Sequence, residues 1–217
     1  MSGARAVACA AALCALPFAG RLHAQSDHDW TVAFGVAGAQ EIARLRDGTA
    51  PARLTGQVFS GEAVVTHGRF VARVRYGQGR VTNDTTARDV VEGEGLLGYN
   101  VRPWLTVWVG PQARTFVAPG FSDRRWLFWS ARVTGRGTLF PGRVESFVEV
   151  WQGFAGSLNR PAGSARGGGI EAGLEVRLAP RRWWGRFAYR IEQGRVAGDR
   201  RETVEAVTLT IGYVPVR

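Results

Sequence analysis

The sequence predicts an all-β fold, a single antiparallel up-and-down transmembrane β-barrel of about ten strands, with eight and twelve as alternative counts. Three observations carry this. Apolar and polar residues alternate with period two through most of the chain, as strands with two unlike faces require. The composition is 45% hydrophobic with 29 Gly and 8 Trp, yet after the first two dozen residues no apolar run approaches the roughly 20 residues of a membrane helix. The polar face carries Arg and Glu, and an Arg facing hydrocarbon costs about 2–4 kcal/mol at the midplane, so the charged face is read as the interior. A membrane-spanning chain without helices must close its backbone hydrogen bonds as a barrel.

The pattern is organised around Asp89 to Thr115. Val91, Gly93, Gly95, Leu97 and Tyr99 alternate with Glu92, Glu94, Gly98 and Asn100. After a turn at Pro103, Leu105, Val107, Val109 and Ala113 alternate with Thr106, Gly110, Gln112 and Arg114. Each arm matches the roughly 9 to 11 residues of a tilted spanning strand. Pro103 cannot donate to a ladder and marks the turn.

In chain order, strand one is predicted over Trp30 to Ala37, with small residues inward, followed by a polar connection from Gly38 to Arg53. Strand two runs Leu54 to Val65 with Glu62 inward, and a tight turn at Thr66–Arg69 leads to strand three, Phe70 to Gly79, whose inner face holds Arg73 and Arg75. A loop at 80–88 precedes strands four and five, and a loop at 116–123 follows them. Strand six, Arg124 to Thr138, turns Phe128, Arg132 and Arg136 inward; strand seven, Arg143 to Phe154, turns Glu145, Phe147, Glu149 and Trp151 inward. After a Gly, Ser and Pro loop at 155–168, strand eight (Gly169 to Leu178) contributes Glu171, Glu175 and Arg177. Strand nine (Trp184 to Gln193) contributes Arg186, Arg190 and Glu192, and strand ten (Glu202 to Tyr213) follows a loop at 194–201.

The first residues read as a processing segment. Arg5 gives a short basic start, Ala6 to Ala19 is apolar and small, and Leu22-His23-Ala24 offers a cleavage site, so residues 1–24 are a predicted signal peptide and 25–217 the barrel. Both cysteines, Cys9 and Cys14, fall in that segment, which excludes disulfides, thiol catalysis and cysteine metal sites from the mature chain. The net charge is +10, and all 28 basic residues are Arg. These arginines recur singly inside strands opposite glutamates instead of clustering, which points away from nucleic acid and toward a paired polar interior.

Longer connections alternate with short turns near His67, Pro103, Pro141 and Pro180, which predicts periplasmic turns, external loops and both termini in the periplasm. Aromatics gather at the turn ends (Phe70, Tyr99, Trp104, Phe140, Trp183, Tyr213) and at the loop ends (Tyr76, Phe116, Trp126, Trp129, Phe154), as two membrane interfaces favour. With these features the chain resembles the small outer-membrane β-barrels of Gram-negative bacteria over essentially all of its mature length. The resemblance is architectural. Those proteins often end on an aromatic residue; here Tyr213 is the nearest match, and the terminal Arg217 departs from the pattern.

The resemblance makes enzymes a possibility to weigh, since such barrels include lipid-modifying enzymes and proteases. The mature chain holds only His28, before strand one, and His67, in a turn, neither placed for acyl-transfer chemistry at the outer leaflet. No catalytic residue, cofactor or metal is assigned. Asp84, Asp89, Asp123 and Asp199 are scattered over separate loops without calcium-type spacing. Arg124, Arg125, Arg200 and Arg201 sit at outer loops, where they could pair with lipopolysaccharide phosphates or simply be solvated. Outer-membrane lipid is the expected partner, and the chain is read as a monomer.

The leading functional reading is a structural or interaction barrel whose lumen is plugged by charge; a narrow passive channel is the alternative, with an outer-leaflet lipid enzyme third. The predicted lumen network comprises Arg73, Arg75, Glu92, Glu94, Arg114, Arg132, Arg136, Glu145, Glu149, Glu171, Glu175, Arg177, Arg190 and Glu192, flanked by Glu62 and Arg186. The rival fold is a soluble, lipocalin-like exported barrel, which would need the opposite arrangement of faces.

Overall fold

The computed structural model describes residues 30–47, 50–117, 124–158, 166–178, 182–195 and 201–215. The segment read as a signal peptide lies outside these. Ten strands follow one another: β1 (Trp30–Asp47), β2 (Ala50–His67), β3 (Phe70–Thr82), β4 (Ala87–Arg102), β5 (Leu105–Val117), β6 (Arg124–Phe140), β7 (Val144–Leu158), β8 (Arg166–Arg177), β9 (Trp183–Arg195) and β10 (Arg201–Tyr213). Each pairs antiparallel with its neighbour in sequence, and β1 closes on β10 from Phe34 opposite Tyr213 to Arg46 opposite Arg201. The chain is therefore an up-and-down barrel without a sheet edge.

Period two decides the faces. Along β3, Phe70, Val74 and Tyr76 point out and are 48–67% exposed, whereas Val71 between them is buried in the lumen. Val207, Leu209 and Ile211 do the same on β10 and Leu127, Trp129 and Val133 on β6. Such an apolar belt around a charged interior is what lipid outside demands, since hydrocarbon can accept neither bare backbone nor bare charge. At the turn end Phe70 meets Tyr99 edge to face, and Trp183 packs on Tyr213, both pairs between neighbouring strands.

The strands are longer than the alternation predicted, and the additions lie at the loop end. The stretch 38–53, expected as a polar connection, is almost entirely ladder: β1 and β2 pair from Trp30 opposite His67 to Asp47 opposite Ala50. Likewise β3 and β4 run on until Thr82 pairs with Ala87, which leaves only 83–86 of the expected loop 80–88. The expected loops at 116–123, 155–168 and 194–201 shrink in the same way, because β5 extends to Val117, β7 to Leu158, β8 starts at Arg166, β9 ends at Arg195 and β10 begins at Arg201. The predicted contrast between long and short connections is thus mostly a contrast in strand extension.

Inside this extension the lumen is mostly apolar, with Glu202 buried on the inner face opposite Leu45 and Arg88 on the same face opposite Val81. Ala43, Leu45, Leu54, Val58, Val81, Val90, Phe116 and Val204 form one buried cluster at the loop end, each at most 3% exposed. Phe116, expected in the outer aromatic girdle, is fully buried there, because β5 carries its alternation one step past Arg114.

Candidate functional site

Below the apolar cap the lumen is filled by ion pairs, and cross-strand register puts them together. Glu92 on β4 lies directly opposite Arg114 on β5, Arg75 opposite both Glu62 and Glu94, Glu175 opposite Arg186 and Glu171 opposite Arg190. Long side chains then reach across the barrel to partners on distant strands.

Three clusters result. In the first, two arginines and two carboxylates make a closed square: Arg73 is 3.1 Å from Glu94 and 2.9 Å from Glu149, and Arg132 is 2.8 Å from Glu94 and 3.0 Å from Glu149. The Trp108 indole N–H donates to Thr134 (2.9 Å), whose hydroxyl donates to Glu149 (2.8 Å). In the second, Arg114 pairs with Glu92 at 2.5 Å and with Glu192, and lies 3.6 Å from Glu41. Arg190 reaches the same three acids, at 3.0 Å from Glu41, 3.3 Å from Glu92 and 3.9 Å from Glu192, while Arg75 adds a contact to Glu92 at 3.5 Å. Gln112 joins these two clusters by accepting from Arg132 (2.9 Å) and donating to Glu192 (3.1 Å).

The third cluster lies toward the turn end and is wetter. Arg186 is 3.0 Å from Glu175 and 3.8 Å from Glu62; Arg136 is 3.6 Å from Glu175 and 3.8 Å from Glu145; Arg177 is 3.6 Å from Glu145. Its side chains grade from largely buried at Arg186 to half exposed at Arg177. Glu171 forms no ion pair among the described residues and lines a small cavity with Glu62, Arg75 and Arg186.

Aromatic rings lie beside three of these guanidinium groups. Arg73 lies 5.0 Å from the Trp108 ring centre, Arg132 5.2 Å from Trp151, and Arg186 5.0 Å from Phe147 and 5.3 Å from Trp184, within cation–π range. Three of these rings lie on a glycine directly opposite in register: Trp108 on Gly98, Trp151 on Gly169 and Trp184 on Gly212. A Cβ at any of the three would collide with the indole. Glycine here makes room for a ring that would otherwise narrow the barrel wall.

Every residue of the predicted network faces the lumen. Arg73, Arg75, Glu92, Glu94, Arg114, Arg132, Glu149, Arg190 and Glu192 come together in the first two clusters, and Arg136, Glu145, Glu175 and Arg177 in the third. Sequence reasoning missed Glu41, fully buried between Arg114 and Arg190, because it fell inside the stretch taken as a connection. It also left Gln112, Trp108 and Trp184 outside the network, although Gln112 had been placed on the inner face. Of the rim arginines, Arg201 points outward and is exposed; the side chains of Arg124, Arg125 and Arg200 lie outside the described residues, as does His28. His67 stacks on Trp30 with ring centres 4.4 Å apart at the turn end.

No protein-family model and no curated protein matches the chain. Among solved structures it is similar to the translocator domain of the autotransporter NalP from Neisseria meningitidis, with 12% identity, 96% of this chain and 95% of that one covered, and a TM-score of 0.49. It is also similar to an outer membrane channel from Pseudomonas putida F1 (10% identity, 90% and 98% covered, TM-score 0.47) and to Ail, the attachment invasion locus protein of Yersinia pestis (11%, 85% and 98%, 0.39). These are likenesses of fold. Function has to be argued from the lumen and surface of this chain.

Proposed function

We propose that the protein is a monomeric outer-membrane barrel, with both termini in the periplasm, whose lumen is closed by its own side chains and which serves a structural or interaction role. The observation that carries this reading is the packing of the lumen. Small cavities of about 20 Å³, beside Gln112, Arg114, Trp151 and Glu192, and about 10 Å³, beside Glu171, lie within the charged layer. Each has room for about one water molecule. Beneath the largely apolar cap, every acid and guanidinium of the first two clusters already takes part in at least one ion pair, and removing one partner of such buried pairs is expensive.

A barrel of ten strands is little wider than the eight-stranded kind whose interior side chains just fill it, and far from the 16 strands of an aqueous porin, which supports the same reading. No catalytic role enters the proposal. The stacking of His67 on Trp30 at the turn end supports leaving it out.

The test is conductance in a planar bilayer. The unmodified protein is expected to show little or no steady current, and truncating Glu94, Glu149 and Glu192 together to Ala is expected to open some. Large, stable, ohmic channels from the unmodified protein would replace this reading with the passive channel. Orientation is tested separately: a membrane-impermeant thiol reagent on intact cells should label Asp84→Cys and leave Arg102→Cys unlabelled.

A further inference from the structure

We propose that a row of outward-facing arginines on β8, β9, β10 and β1 binds the phosphate groups of a phosphorylated glycolipid of the outer leaflet. The row is set by register: Arg166 lies directly opposite Arg195, Arg195 opposite Arg201, and Arg201 opposite Arg46. Directly paired residues share a face, and all four side chains are exposed on the outer one. Like charges placed opposite each other across strands destabilise a sheet, so the arrangement calls for an anion.

The described residues supply none. Among the described residues, no carboxylate reaches ion-pair distance of Arg46, Arg166, Arg195 or Arg201, although Arg44 nearby on the same face is held by Glu205. Inside the barrel the opposite holds: nearly every arginine shares one or more glutamates. A protein that neutralises its buried arginines one by one, yet leaves four in register unpaired, has a patch fitted to a ligand that brings its own negative charge.

Position selects the ligand. On β8 and β9 the row stands two outward steps beyond Ile170 and Ile191, the last apolar outward residues of those strands, which is roughly 13 Å along the strand and, with the strand tilted by about 40°, roughly 10 Å along the barrel axis, at headgroup level. Three strand spacings make the row about 14 Å long. It also climbs, because Arg195 is twelve residues from Trp183 at the turn end of β9 whereas Arg46 is sixteen from Trp30 on β1. A single phosphodiester at one depth would engage one or two of these guanidiniums; a headgroup with several phosphates at different depths can engage all four, each through charge-assisted and bidentate contacts. The assignment to the outer leaflet rests on the orientation proposed above.

The experiment uses the full refolded chain in detergent, with folding checked by heat-modifiable gel migration. Binding is measured to lipopolysaccharide, to the same material treated with phosphatase, and to phosphatidylglycerol. The wild type is expected to bind lipopolysaccharide at least tenfold more tightly than either other probe. The variant R46Q/R166Q/R195Q/R201Q should lose that preference, and R69Q/R102Q/R143Q/R182Q, an equal charge loss at the turn end, should keep it. R195Q/R201Q gives the same comparison if the fourfold variant does not fold. A wild type without preference for the phosphorylated form, a row variant that keeps the preference, or equal binding of phosphatidylglycerol would each overturn the proposal. Because the measurement needs neither a bilayer nor a known orientation, it can fail while the closed-lumen reading stands, and the reverse.

Discussion

The lower and upper parts of this barrel obey opposite rules. From the turn end through the middle, apolar side chains such as Phe70, Val74, Leu209 and Ile211 face out, and Arg and Glu face in. At the loop end, on β10 and β1 to β3, the inner face is dominated by Ala43, Leu45, Leu54, Val58, Val81 and Val204, with the acid Glu202 buried beside Leu45 in register, while Arg44, Thr55, Gln57, Arg80 and Arg201 face out. The strands and their register continue without interruption across the change. The difference teaches that the inside and outside code belongs to the solvent: where lipid gives way to water, a collar of the same sheet becomes a barrel of the soluble kind, held by apolar burial.

Breaking the lower interior should have the largest effect. Glu149→Ala leaves Arg73 and Arg132 each with one remaining carboxylate and removes the acceptor of Thr134. A destabilisation of about 3–5 kcal/mol is expected, read from denaturant unfolding in vesicles, because an uncompensated buried charge costs that much. A loss below about 1 kcal/mol would mean that water reaches the square freely.

The lower exterior comes next. Val74→Arg, on a residue 61% exposed to the belt between Arg73 and Arg75, should cost about 2–4 kcal/mol or block insertion.

This contrast also explains what could be read from the sequence. Strand three was legible because Phe70, Val74 and Tyr76 out against Arg73 and Arg75 in is an unambiguous signal for lipid outside. The run Gln40-Glu41-Ile42-Ala43-Arg44-Leu45-Arg46 also alternates, but with Arg out and Ala and Leu in once past Glu41. Read by the lower rule it looks like a polar connection, so β1 was cut short and Glu41 was lost from the network. The pairings inside the lumen were legible only as a balance of signs. Which Arg meets which Glu depends on reach across the barrel, as from Arg73 on β3 to Glu149 on β7, and nothing local in the chain encodes that.

In the upper interior, Val81→Ala removes two methylene equivalents from a fully buried site in the cluster that also holds Leu54, Val90 and Phe116. At about 0.8 kcal/mol per group plus a cavity contribution, a loss of about 2 kcal/mol is expected in the same unfolding assay. An unchanged midpoint would show that the collar does not take part in the cooperative transition.

The smallest effect is expected at the upper exterior, and it is the sharpest test of where lipid ends. Thr55→Arg places the same charge on the same outer face as Val74→Arg, one strand away. Thr55 lies twelve residues along β2 from His67, beyond the 9 to 11 or so that a tilted strand needs to cross the bilayer, and its neighbours in register are Ile42 and Thr82. A guanidinium there meets water and headgroups instead of hydrocarbon, so stability should stay within about 0.5 kcal/mol of the wild type, as for an ordinary surface substitution. A cost similar to that at Val74 would place Thr55 inside the hydrocarbon. The collar would then be lipid-covered, and the inversion of faces along β1 and β2 would need a cause other than a change of solvent.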